Sequence, residues 1–277
     1  MSMQAEVAVE KMVFRKTNAQ KGRHLAVTPQ NSTMRHLSYG RIIVDASHPC
    51  VSFDNGNQET ALICLSGNAT LKANGEEVGI GRFDALYIPR DSSIEISTNS
   101  SSVDLAEFSS GVAGKYPLKV VRYAEVAKDP GLKFMAGGPG ATRNLDMLIA
   151  KNVEAGRLLV GFTRSDPGNW TSWPPHERAK MLEAMYIYFG MPEPAYGIQL
   201  VYDDTQYPEL VTVVRDGDAV LMPSGGGYHP NVSVPGHRIA FLWAMAAHRE
   251  VQDRQFGVVN IQPGFQQGGA GLEMGRK

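Results

Sequence analysis

The segment Gly81-Arg82-Phe83-Asp84-Ala85-Leu86-Tyr87-Ile88-Pro89 decides how this chain folds, because its plan returns as Asp216-Gly217-Asp218-Ala219-Val220-Leu221-Met222-Pro223. Each copy is a Gly/Asp turn running into a short β-prone apolar stretch that ends at a proline. Gly and Asp supply the turn. The apolar stretch has the length of a strand buried on both faces. Proline closes it, having no N–H for a further ladder bond. One such unit marks a strand; two mark a duplicated β domain.

The surroundings of both copies also match. Glu59 opens a strand that ends before Gly67, and Glu183 opens one that ends before Gly190. β-prone runs at residues 41–44, 60–65, 69–73, 85–88 and 94–98 form one set. Runs at 157–162, 184–189, 198–202, 212–214, 219–222 and 239–244 form another. Many short strands between Gly, Pro, Asn and Asp predict a sandwich or barrel. Asn74-Gly75 and Asp216-Gly217 are hairpin-type dipeptides. Residues 144–151 fit a strand or a short helix, and no long amphipathic helical pattern occurs. The expected boundary lies between residues 115 and 135, giving an N-terminal barrel over 1–125 and a C-terminal barrel over 126–277. Residues 1–23 read as an arm or an added edge strand. The Gly/Gln-rich stretch after about residue 262 reads as a loosely ordered tail.

Composition narrows the function classes. The 277 residues are 43% apolar and 20% charged, with a net charge of −1. That is enough for two cores, and it lacks the basic excess that nucleic acid or an anionic membrane would attract. The opening residues do not read as a basic and apolar leader, so none is expected, and the longest strongly apolar run, residues 239–247, is far short of a bilayer span. Cys50 and Cys64 lack metal-type spacing and read as small buried hydrophobes in a reducing compartment. The expectation is a cytoplasmic protein with no nucleic-acid or membrane partner, forming a homo-oligomer through sheet edges.

Residues able to carry chemistry concentrate in the second half. His176, Glu183 and Gly190 stand at one set of spacings, and Gly217, Pro223, Gly225 and His229 at another. These match the two cupin motifs, in which a His-x-His pair, a Glu and a distant His line a barrel mouth. Imidazoles and a carboxylate there would hold a divalent first-row metal with positions open for substrate. Arg178 takes the second His position, and a guanidinium cannot ligate a metal. The register of the next strand stays open. Counting from His176 turns Glu183, Met185 and Ile187 inward. Counting from Tyr186-Ile187-Tyr188-Phe189 turns Ala184, Tyr186 and Tyr188 inward and Glu183 outward. The first half has no histidine between Asn55 and Ser97 and reads as a packing barrel. His24, His36, His48, His237 and His248 receive no role.

Longer segments carry a more specific resemblance. Glu59-Thr60-Ala61-Leu62-Ile63-Cys64-Leu65-Ser66-Gly67, residues 79–89, Leu158-Leu159-Val160-Gly161 and, above all, Gly168-Asn169-Trp170-Thr171-Ser172-Trp173-Pro174-Pro175-His176 resemble the 5-deoxy-glucuronate isomerase family of myo-inositol catabolism. Residues 216–220 and Gly227-Tyr228-His229-Pro230 fit it too. Tyr186-Ile187-Tyr188-Phe189 is similar to a segment of the related 5-keto-4-deoxyuronate isomerases. The resemblance runs from about Arg23 to Gln262. It implies an all-β double cupin, two jelly-roll β-barrels in one chain, acting as an aldose–ketose isomerase on a deoxy uronic acid. It further implies a divalent metal (Zn, Mn, Fe or Ni) on His176, Glu183 and His229. Proton transfer would fall to Glu183, Lys180, Tyr186 or Tyr228. The substrate carboxylate would fall to Arg143, Arg164 or Arg178, because a guanidinium fork grips a carboxylate at two points. With Arg178 in the motif, two alternatives stand beside it. One is an isomerase of a different uronate with an altered or absent metal site; the other is a non-catalytic cupin that binds a sugar acid.

Overall fold

The computed structural model describes residues 11–223 and 227–265; Gly225 of the second motif and the tail from Gln266 lie outside them. The first domain is a jelly roll of two sheets. The larger orders the strands Lys119–Val121, Ala85–Ile88, Gln58–Ser66, Ser102–Gly111, Leu37–Asp45 and Gly22–Val27. The smaller orders Cys50–Asp54, Ser93–Ser97, Ala69–Ala73 and Glu76–Ile80. The second domain repeats the plan. Its large sheet orders Val13–Phe14, Ala219–Met222, Leu182–Tyr188, Ala240–Ala247, Leu158–Ser165, Arg143–Ile149 and Lys133–Ala136. Its small sheet orders Trp170–Thr171, Asn231–Ser233, Gly197–Val201 and Leu210–Val214. The expected barrels are therefore pairs of sheets rather than single closed ones, and the ambiguous stretch near residue 144 is a strand.

Strand alternation sorts the side chains into two cores. On Gln58–Ser66, Leu62 and Cys64 join Ile42, Leu71, Leu86 and Ile96 in an aliphatic core that fills the first domain. Ala61, Ile63 and Leu65, one residue out of step, join a larger core that continues through Val160, Phe162 and Leu182 of the second domain. The two large sheets are thus fused into one apolar mass.

A matched pair of carboxylates ties those sheets together. Glu59 accepts the backbone N–H groups of Gly156, Arg157 and Leu158 at 2.7, 2.7 and 2.8 Å. Glu183 accepts those of Arg35, His36 and Leu37 at 2.9, 2.7 and 2.7 Å. Both glutamates are fully buried. Leu158 and Leu37 each begin a strand, so each carboxylate satisfies backbone amides at a strand entrance of the opposite domain. The duplication that placed Glu59 and Glu183 at matching positions is a reciprocal clasp between domains.

The N-terminal arm crosses over. Val13 and Phe14 pair with Val220 and Ala219, Thr17 N–H donates to the Gly217 carbonyl at 2.8 Å, and Arg15 meets Asp218 at 2.7 Å. An added edge strand was one of two expectations for this arm, but it joins the second domain and not the first, to which residues 1–125 were assigned. Cys64 is buried as expected; Cys50 is exposed, because its strand lies at the edge of the small sheet. Among the described residues no helix is long and apolar enough to cross a membrane.

Candidate active site

The pocket of the second domain is built on two histidines. His176 follows Pro174-Pro175, and its Nδ1 lies 2.8 Å from the Pro174 carbonyl. His229 places Nδ1 3.0 Å from the Gly227 carbonyl. A carbonyl can only accept, so each ring carries its proton on Nδ1 and keeps a bare lone pair on Nε2. The rings lie 5.2 Å apart at 70°, and His229 Nε2 is buried without a hydrogen-bond partner among the described residues. Both imidazoles stay neutral. Burial, helped by the Arg178 charge, pushes the His229 pKa down to about 4 and that of His176 well below its ordinary value.

Cations and hydroxyls complete the site. Arg143 and Arg178 are buried. Burial lowers both guanidinium pKa values to about 10, which leaves them charged at neutral pH. Arg143 donates to the carbonyls of Ala141 at 3.0 Å and Trp173 at 2.8 Å. Arg178 packs over the Phe256 ring at 5.0 Å and donates from Nε to the Phe256 carbonyl at 3.1 Å. Tyr186 reaches the Ser172 hydroxyl at 2.7 Å, and its ring lies 5.6 Å from that of His229. Ser172 has φ 52°, a left-handed conformation costly for a side chain with Cβ, and this backbone helps set its hydroxyl against Tyr186.

Two small cavities meet at Arg178. One, of about 30 Å³, is lined by Arg143, Ser172, His176, Arg178, Tyr186 and Trp243, among others. The other is lined by Arg178, Ala184, Met222, Pro223 and His229, among others. Behind them Gln199 is wholly buried and donates from Nε2 to the His229 and Pro230 carbonyls at 3.0 and 3.2 Å. Its Oε1 accepts from Tyr188 at 2.5 Å and Asn231 at 3.1 Å. This satisfied network fixes the backbone that carries His229.

The sequence matches the family model described as KduI/IolB over residues 12–258. The chain belongs to the KduI/IolB family. Its relatives include a 5-deoxy-glucuronate isomerase of Geobacillus kaustophilus (strain HTA426), 26% identical over 245 residues that cover 82% of this chain and 85% of that one. Another is a 4-deoxy-L-threo-5-hexosulose-uronate ketol-isomerase of Enterobacter sp. (strain 638), 27% identical over 73% of this chain and 72% of that one. An IolB-like protein from Salmonella typhimurium LT2 superimposes with a TM-score of 0.75 at 19% identity, covering 91% of this chain and 96% of that one. Bacillus subtilis oxalate decarboxylase, a protein with Mn(II) centres, superimposes at 0.61 with 11% identity over 84% and 76%. These likenesses establish the all-β double-cupin fold.

Placed within this KduI/IolB domain, the expected site residues divide. His176, His229, Arg143, Arg178 and Tyr186 come together. Glu183 does not. Leu182–Tyr188 pairs with Ala240–Ala247 in unbroken register, so Ala184, Tyr186 and Tyr188 share the inward face and Glu183 turns to the first domain. Expectations of Glu183 as metal ligand and as catalytic base are both corrected by that alternation. Lys180 is exposed, in the turn before the strand. Tyr228 packs on Tyr202 at 5.8 Å, away from either cavity lining. Arg164 lies one residue from inward-facing Thr163 and so points out, to Asp146 at 3.4 Å and over Phe83 of the first domain at 5.7 Å. Ser172, Trp243, Phe256 and Gln199 were not singled out from the sequence. Ser172 lies within the Gly168–His176 match; the other three sit in ordinary β or loop sequence and carried no signal.

The donor set does not fit the implied metal. Two imidazoles present bare Nε2 atoms, but the Glu position holds the Ala184 methyl group and the second His position holds a cation. Glu177 spends its carboxylate on the Ala179 N–H and the Asn260 amide. Among the described residues no three of His, Cys, Asp or Glu gather as ligands. A divalent first-row ion requires more donors than two imidazoles beside a guanidinium.

Proposed function

We propose that this chain is an aldose–ketose isomerase acting on an open-chain deoxy uronic acid of the 5-deoxy-glucuronate type. The observation that carries the reading is the meeting of two buried cations, Arg143 and Arg178, with two bare imidazole nitrogens and the Tyr186–Ser172 hydroxyl pair around two small cavities that join at Arg178. The names of the family relatives are consistent with it. The reaction moves a proton from the hydroxyl-bearing carbon to the neighbouring aldehyde carbon through an enediolate. A neutral imidazole can take the carbon-bound proton and return it. The hydroxyl pair can pass the proton exchanged between the two oxygens. The guanidinium groups supply positive charge for the substrate carboxylate and the developing enediolate. The reading brings with it a small sugar acid as the partner, a homo-oligomer and a cytoplasmic setting.

The test is incubation with 5-deoxy-D-glucuronate in deuterated water, followed by proton NMR. Loss of the aldehyde signal, growth of the ketose and solvent deuterium at the former aldehyde carbon are expected. Tight binding without conversion would instead make the protein a sugar-acid-binding cupin.

A further inference from the structure

We infer that the Arg178 guanidinium stands where this fold places a metal ion, so that the enediolate oxygens are held by guanidinium N–H groups and turnover needs no metal. The inference rests on the isomerase reading above.

Three observations meet at this residue. First, the departure from the cupin motif is double: Arg178 stands where the motif has its second His and Ala184 takes the inward place of the motif's Glu, and both side chains line the cavity with His229. A missing ligand weakens a metal site, and a fixed positive charge at another ligand place also repels the ion. Second, Arg178 is the side chain that the two cavities share, reaching His176 on one side and His229 on the other. That central place is where ligands on adjoining strands would converge. Third, Nε is anchored on the Phe256 carbonyl, and among the described residues no carboxylate pairs with this cation. The nearby Glu177, which lines the same cavity and favours the charge on Arg178, gives its carboxylate oxygens to the Ala179 N–H and the Asn260 amide, and the fixed stem leaves the guanidinium lining both cavities.

The chemistry balances without a further reactant. The C–H electron pair becomes the carbon–carbon π bond of the enediolate, the carbonyl pair moves onto oxygen, and the carbon-bound proton sits on an imidazole Nε2. The hydroxyl proton passes from one enediolate oxygen to the other through the Tyr186–Ser172 pair, and return of the imidazole proton to the adjacent carbon, as the carbonyl re-forms on the deprotonated oxygen, restores the imidazole. A guanidinium offers two parallel donors to the two cis oxygens of the enediolate, and in a dry pocket a fixed donor of this kind acts strongly.

The experiment combines equilibrium dialysis against Zn²⁺ or Mn²⁺, elemental mass spectrometry, and turnover with and without EDTA. Wild-type protein is expected to retain no stoichiometric metal and to keep its rate within about twofold in EDTA. Arg178→Met should lose about 10²- to 10³-fold in kcat, the usual cost of one oxyanion donor. The double variant Arg178→His/Ala184→Glu should gain about one equivalent of metal, since it restores three imidazoles and a carboxylate. One equivalent of metal on the wild type, lost in His229→Ala and required for turnover, would overturn the inference. So would a double variant that folds by circular dichroism yet takes up no metal. If no uronate is converted under any condition, the isomerase reading fails, while metal uptake by wild type and double variant still decides whether Arg178 holds the metal position.

Discussion

Replacing Glu183 with glutamine separates a clasp between domains from a ligand in the pocket. Glutamine keeps the shape but turns one acceptor oxygen into a donor. Of the three amides on Glu183, those of His36 and Leu37 share Oε1 and can stay on the remaining oxygen, now as neutral bonds. The Arg35 N–H, which meets Oε2, would face an NH₂ group. A hydrogen bond to a charged partner contributes about 1.5–3 kcal/mol and a neutral one about 1 kcal/mol. Weakening two and orphaning a third therefore costs roughly 3–5 kcal/mol. For domains of this size each 1 kcal/mol moves Tm by about 2–4 °C, which puts the expected fall near 10 °C. Differential scanning calorimetry reads it, and loosening of the domains should broaden the transition. Glu59→Gln should behave alike, because Glu59 makes the reciprocal set of bonds. Turnover by Glu183→Gln below its Tm should stay within about threefold of wild type. A variant that melts with the wild type but has lost all activity would refute the clasp and return Glu183 to the chemistry.

Three further outcomes follow from the same geometry. Between the His229 pKa of about 4 and the ordinary value of 6.5 the unfolded chain binds a proton that the folded chain does not, so stability should fall as pH drops through that window, by about 3 kcal/mol. His176 acts in the same sense, and urea titrations of His229→Gln should show a shallower pH dependence. Gln199→Ala removes the donor to the His229 carbonyl and should cost roughly 2–4 kcal/mol while lowering kcat more than it raises KM, read by melting and steady-state kinetics. Lys180→Ala and Tyr228→Phe should leave kcat/KM within about twofold; a loss of 100-fold in either would move that side chain into the pocket.

Much of the fold could be read from residue patterns because each strand carries its own punctuation. The Gly/Asp turns, the prolines after Ile88 and Met222, and the apolar runs between them are local signals, and the runs they mark are strands. Ser102–Gly111, a central strand of the first domain, escaped notice because its sequence begins and ends in Ser and Gly, and tertiary burial overrode that weak propensity. The two histidines of the site were also legible, through their spacing and the segment leading to His176.

What the sequence determined by itself was the duplicated β architecture, the family, and the pocket-bearing half, since these rest on local turn chemistry and on motifs read along one chain. Only the tertiary structure decided which way Leu182–Tyr188 faces. Two registers one residue apart have nearly the same local propensities, and the choice between them depends on what lies on each side: amides of the other domain waiting for a carboxylate, and a barrel interior that takes Ala184 and Tyr186. That choice moves Glu183 from the pocket to the clasp and leaves Arg178 at the centre of the site, because a strand can present one residue to only one face.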